Sequence, residues 1–146
     1  MTKVAKDVLL IEDNGGDIKL IEEAIKDGDL AINLRVIKDG GEALSYMKNA
    51  VQGTEGRWPS IIIMDLNLPK VSGLELLKKF KSSEDFRQIP IIILTTSNLN
   101  TDIQNCYKLG ANAYINKPLD VFVFFEIIQL IDKFWLSKCT LPQLEG

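Results

Sequence analysis

Apolar positions along the chain fall into short runs separated by longer amphipathic stretches. Val8-Leu9-Leu10-Ile11, Ile61-Ile62-Ile63-Met64 and Ile91-Ile92-Ile93-Leu94 are unbroken and four residues long. Such runs read as strands buried on both faces of a parallel sheet. Ile32 to Ile37 alternates apolar with polar residues and is expected nearer an edge, and Ala113-Tyr114-Ile115-Asn116 gives a short fifth strand. Between them lie helical patterns. Ile18, Ile21, Ala24 and Ile25 follow Gly15-Gly16-Asp17, and Ala43, Leu44 and Met47 follow Asp39-Gly40-Gly41. Leu74, Leu77 and Phe80 mark a third helix, with Ser72 and Glu75 spaced as a capping box. A fourth helix is expected from Thr101 to Leu109 and a fifth from about Asp120 to Leu136. Strands alternating with helices predict one doubly wound, five-stranded parallel α/β sheet with helices on both faces. No linker or repeat divides the chain, so residues 1–146 are expected to form one domain, with 138–146 a short tail.

The fifth helix carries more apolar surface than docking on a sheet requires. Val121, Phe124, Phe125, Ile128, Ile131 and Trp135 form one stripe at helical spacing. Val123, Ile127, Leu130 and Phe134 form a second, offset by about a third of a turn. An exposed patch of this kind marks an interface. A symmetric homodimer through the fourth helix, fifth strand and fifth helix is expected.

Composition narrows the chemistry. The chain has no histidine, which excludes Ser-His and Cys-His catalysis, zinc sites with histidine ligands, and phosphohistidine on the chain itself. A net charge of −3 offers no basic field for nucleic acid or anionic membrane. Leu119 to Leu136 contains Asp120, Glu126, Asp132 and Lys133, too many charges for a membrane span. The two cysteines, Cys106 and Cys139, form no CxxC pair, and Met1 to Asp7 lacks a signal-peptide core. A reduced, cytoplasmic protein is expected.

What remains is a set of groups at the strand ends. Glu12 and Asp13 follow the first strand, Asp65 the third, Thr95 the fourth and Lys117 the fifth. In a right-handed parallel sheet these share one edge, where ligands of open α/β sheets bind. Three carboxylates without histidine or thiolate suit a hard divalent cation such as Mg²⁺. A cation, a hydroxyl and an ammonium around one exposed carboxylate suit a phosphoryl group carried by Asp65.

These residues resemble those of response-regulator receiver domains of the chemotaxis-regulator type, whose fold is flavodoxin-like. The resemblance covers nearly the whole chain and rests on Leu10-Ile11-Glu12-Asp13-Asn14, Asp39-Gly40-Gly41-Glu42-Ala43-Leu44, Met64-Asp65-Leu66-Asn67-Leu68-Pro69 with Gly73, Leu94-Thr95, and Gly110-Ala111 through Tyr114 to Lys117-Pro118. It implies that Asp65 is the phosphoacceptor for a partner histidine kinase. Asp13 and Asp65 would bind Mg²⁺ by side chains, Asn67 by its backbone carbonyl, and Glu12 through water. Thr95 would hydrogen-bond the phosphoryl group and Lys117 would pair with one of its oxygens. Tyr114 would report the position of Thr95, and Lys117-Pro118 would be a cis peptide at the switch. Thr96 stands where the family often has Ala or Gly, which bears on access to Asp65, and Asn67 and Ser97 occupy positions that tune self-dephosphorylation. The ending Phe134-Trp135-Leu136 through Thr140-Leu141-Pro142 resembles single-domain regulators that partner bacterial phytochromes.

With no DNA-binding motif or catalytic output after the domain, output is expected through protein contact or onward phosphotransfer. Two alternatives remain open. A haloacid-dehalogenase-type phosphatase needs a second acid two residues after the first, where this chain has Asn67. A degenerate receiver would act only as a phosphorylation-independent dimerising adaptor, a reading the intact Glu12-Asp13, Asp65 and Lys117 oppose.

Overall fold

A computed structural model describes residues 4–144; residues 1–3, and residues 145–146 of the expected tail, lie outside the described residues. Elements alternate in chain order as β1 (Lys6–Ile11), α1 (Gly15–Asp27), β2 (Ile32–Ile37), α2 (Gly40–Val51), β3 (Ile61–Met64), α3 (Gly73–Ser82), β4 (Ile91–Thr95), α4 (Asn100–Lys108), β5 (Ala113–Asn116) and α5 (Val121–Ile131). A π-helical turn, Asp132–Lys138, continues α5.

All strand pairs are parallel and the order is β2-β1-β3-β4-β5. The alternating strand is at one edge and the unbroken apolar runs are central, as expected of strands covered on one face or two. Strand side chains alternate between two cores. Leu9, Ile11, Ile62, Met64, Ile91 and Ile93 face α2, α3 and the aromatic cluster around Phe86. Val8, Leu10, Ile61, Ile63, Ile92 and Leu94 face α1 and α5. A period of two therefore distributes one β-run over both layers.

The helix starts follow local chemistry. The side chains of Asn14, Asp39, Ser72 and Asp120 accept backbone N–H groups of the first turns of α1, α2, α3 and α5, satisfying donors a helix cannot pair internally. In α3, Leu76, Leu77 and Phe80 are buried while Leu74 is only half-buried, so the core-facing stripe includes Leu76 in addition to the expected positions. Two glycines set loop paths. A Cβ on Gly40 would lie 2.2 Å from the Val71 carbonyl oxygen, and one on Gly73 would lie 2.5 Å from the Asp65 carbonyl oxygen. Both hold the β3–α3 loop close against its neighbours.

The fifth helix departs from expectation. Its α-geometry ends at Ile131, and the Cys139 N–H donates to the Phe134 carbonyl five residues back at 2.8 Å. Leu136, in neither expected stripe, is buried in this wider turn. Val121, expected in the docking stripe, is exposed at the first position of the helix. The expected second stripe is largely in water: Val123, Leu130 and Phe134 are exposed and Ile127 is half-buried. Among the described residues, no helix is long and apolar enough to cross a membrane.

Candidate functional site

Among the described residues, Glu12, Asp65 and Thr95 are the polar residues buried as a whole. All three lie at the carboxyl ends of the central strands β1, β3 and β4. Their shared partner is Lys117, which follows β5 and whose side chain is 5% exposed. Its Nζ donates to Asp65 Oδ2 at 2.7 Å, to Asp17 Oδ2 at 2.8 Å, and to Glu12 Oε1. One ammonium thus serves three carboxylates, satisfying its three donors and leaving the cluster anionic.

The surrounding backbone sets these positions. Asp65 N–H donates to the Ile11 carbonyl at 3.0 Å and Lys117 N–H to the Thr95 carbonyl at 2.8 Å, extending the sheet pairing past the strand ends. The second Asp65 oxygen, Oδ1, accepts the Asn67 N–H at 3.2 Å. Burial alone raises the Asp65 carboxyl, but hydrogen bonds from Lys117 and Thr95 outweigh it and hold the group below the usual aspartate value. Glu12 goes the other way. Burial and the nearby Asp65 charge outweigh its bond to Lys117 and push it up to about 7. Lys117 is held well above the ordinary lysine value, because its three carboxylate bonds overcome its desolvation. The two carboxylates thus differ in role, one held ionised and one near its midpoint at neutral pH.

Of the residues expected at the site, Glu12, Asp65, Thr95 and Lys117 are brought together. Asp13 is exposed at the rim beside Glu12, and Asn67 is exposed after Asp65. Among the described residues no three acidic side chains gather into a ready ligand cluster, because the Lys117 ammonium sits between them. The donor set is nonetheless all oxygen, with two buried carboxylates and Asp13 at the mouth, and this chemistry fits a hard divalent cation. Thr96 is exposed. Tyr114 is half-buried, and its hydroxyl donates to the Ser97 carbonyl at 2.7 Å.

The expected cis bond at Lys117-Pro118 is corrected: among the described residues no peptide bond is cis. Trans is the lower-energy form of an X-Pro bond, and with it the Lys117 ammonium still reaches all three carboxylates. Asp17 is the site residue that sequence reasoning missed. In sequence it stands in the helix opening Gly15-Gly16-Asp17, yet the first turn of α1 starts over the same edge as Glu12, and that proximity is the available signal.

A doubly wound sheet of this order, with an acid–lysine–threonine cluster at its strand ends, defines a small α/β signalling domain. Comparison with known proteins narrows the class. A profile of the response regulator receiver domain matches residues 8–129. Response regulator Rcp1 of Synechocystis sp. is 34% identical over 137 residues, covering 94% of this chain and 93% of that protein. The crystal structure of the phosphorylated cyanobacterial phytochrome response regulator RcpA superposes with a TM-score of 0.89 at 37% identity, covering 96% of this chain and all of that one. The Mn²⁺-bound form of Rcp1 superposes with a TM-score of 0.86 at 34% identity, covering 94% and 99% of the two chains. The chain belongs to the response regulator receiver family of two-component signal transduction.

Proposed function

We propose that Asp65 is the phosphoacceptor, taking a phosphoryl group from a phosphohistidine of a partner kinase. An Asp65 carboxylate oxygen bonds to phosphorus as the P–N bond breaks and the imidazole leaves. The observation that carries this reading is a buried Asp65 whose oxygens already meet the Lys117 ammonium and the Asn67 N–H, with the buried Thr95 at the end of the neighbouring strand. Lys117 would stay paired with a phosphoryl oxygen and Thr95 would hydrogen-bond another, so charge stabilisation is built in before transfer. The protein assists its own phosphorylation and dephosphorylation but acts on no other substrate.

Mg²⁺ is the proposed cofactor, held by Asp13 and Asp65, by the Asn67 carbonyl, and by Glu12 through water. When bound, the cation neutralises the phosphoryl oxygens. The all-oxygen donor set supports it, as does the Mn²⁺-bound form of the relative Rcp1. The printed description of RcpA as a phytochrome response regulator supports a bacterial phytochrome as the kinase. Residues 1–146 act as one cytoplasmic receiver unit, with 138–146 a tail, and signal through protein contact.

Acetyl phosphate with Mg²⁺ tests this directly by intact mass. A Mg²⁺-dependent phosphate adduct on wild type and none on Asp65→Asn is the expected result. An adduct on both places the phosphoryl group elsewhere, and none on folded wild type rejects the reading.

The exposed face of α4, β5 and α5 is the proposed homodimer surface, with Leu130 at 53% and Phe134 at 56% exposure. Light scattering of wild type and Leu130→Asp, with and without beryllofluoride, decides it. A wild-type monomer under both conditions rejects the dimer.

A further inference from the structure

Lys117 has three ammonium donors and three carboxylate partners, but those partners are not equivalent. Glu12 and Asp65 follow strands β1 and β3, and their side chains are 2% and 7% exposed. Asp17 stands in the first turn of α1, outside the sheet, with its side chain 24% exposed. Its place over the strand ends is fixed through Asn14. The Asn14 side chain accepts the Asp17 N–H at 2.9 Å, while the Asn14 N–H donates to Glu12 Oε2 at 3.2 Å. One residue thus holds the α1 acid in register with the β1 acid.

The three partners also differ in what else claims them. Glu12 and Asp65 belong to the donor set proposed above for Mg²⁺, and Asp17 does not. The Lys117 ammonium and a divalent cation therefore draw on the same two buried carboxylates. A lysine whose side chain is only 5% exposed gains little from water in exchange for that lost attraction. Asp17 is the partner it does not have to share.

We propose that Asp17 is a positioning residue that anchors the Lys117 ammonium on the α1 side of the site, so that Glu12 and Asp65 can serve a divalent cation without stranding a buried positive charge. Lys117 then remains available to a phosphoryl oxygen on Asp65. This deepens the reading of Asp65 and Mg²⁺ and rests on it. An acid in a helix's first turn also complements the helix dipole, whatever Lys117 does. The two roles separate by their dependence on Lys117.

The first measurement is Mg²⁺ affinity by calorimetric titration of the full chain, as wild type, Asp17→Asn, Lys117→Met and the double variant. Asp17→Asn should weaken Mg²⁺ binding. The loss should be about 3- to 10-fold greater with Lys117 present than in the Lys117→Met background, a coupling of the size found for residues in contact. Equal losses in the two backgrounds, or none, reduce Asp17 to the field of one negative charge and overturn the anchor. A greater loss in the Lys117→Met background marks Asp17 as a direct ligand and also overturns it. No Mg²⁺ binding by folded wild type rejects the metal reading, and the anchor with it.

The second measurement needs only Asp17→Asn, whose amide keeps the shape of the acid. With saturating Mg²⁺, exchange of the Lys117 ammonium protons with water, read by nitrogen-15 NMR, should be about 10-fold faster in the variant than in wild type. Unchanged exchange overturns the anchor even where Lys117→Met fails to fold. Faster exchange confined to the first-turn amides of α1 overturns it in favour of a role in the helix alone.

Discussion

Replacing Lys117 by methionine keeps most of the side-chain volume and removes the one cation among Glu12, Asp17 and Asp65. At an effective dielectric near 20, an ion pair at the 2.7 Å separation of Lys117 and Asp65 carries roughly 6 kcal/mol of gross attraction. Desolvation of the buried ions offsets most of it. Removing one partner of a buried pair costs about 3–5 kcal/mol, because the remaining charge is stranded. Glu12, already pushed up to about 7, can relieve that stress by taking a proton. The lower end of the range, about 3 kcal/mol, is therefore expected near pH 8. At roughly 3 °C per kcal/mol for a chain of this size, the melting temperature falls by about 9 °C.

The sign with pH follows from proton linkage. Without the ammonium Glu12 rises further above its unfolded value and Asp65 loses the bond that holds it low, so the folded state binds more protons than the unfolded state over the window through which Glu12 titrates. Stability of the variant then falls as pH rises through it. Near pH 5.5 the deficit should shrink to about 1 kcal/mol. Urea unfolding in EDTA, followed by the fluorescence of Trp58, which packs 4.7 Å from Phe86, gives both values. Millimolar Mg²⁺ should return part of the loss near pH 8, since a second cation can take the place of the first. A deficit below about 1 kcal/mol near pH 8, or one equal at both pH values, would refute the assignment of Lys117 as the essential counter-charge.

Three further outcomes are expected. Glu12→Gln should gain on wild type by about 1–2 kcal/mol between about pH 5 and pH 7.5, because a carboxyl raised above its unfolded value loses stability as pH rises, and the amide does not titrate; paired urea curves in EDTA read it. Gly40→Ala, whose Cβ would meet the Val71 carbonyl oxygen at 2.2 Å, should cost about 2–3 kcal/mol, while Gly15→Ala, with open space around it, should stay within about 0.5 kcal/mol of wild type; calorimetry separates the two. Phe86→Ala opens a cavity beneath Tyr46, Trp58 and Phe80 and should cost about 3–5 kcal/mol, with Trp58 emission shifting to the red.

The sheet was legible because its central strands are pure apolar runs that no helix period explains, and because the one alternating strand had to lie at an edge. Asp65, Glu12, Thr95 and Lys117 were legible because strand ends of a parallel sheet share an edge, so position in the chain translates into position in space. Asp17 was not, since a helix's first turn carries an acid for capping reasons as often as for any other. The Tyr114 bond to Ser97 was hidden because its target is a backbone carbonyl, which every residue has. The π-helical turn left no trace in the pattern, because the apolar spacing of Phe134, Trp135 and Leu136 suits either geometry. The Lys117-Pro118 bond illustrates a different limit: a dipeptide permits both isomers, and the surrounding fold selects trans.

That π-helical turn acts as a phase shifter at the end of the molecule. Each residue added to or removed from an α-helix rotates everything beyond it by about 100°. The wide turn of Asp132–Lys138 takes up such an offset in place, so the chain leaves Cys139 on a heading that returns Leu141 to one core and Leu144 to the other. Leu141 and Leu144 therefore close over opposite layers of the sheet, and their path is governed by the phase of a single turn.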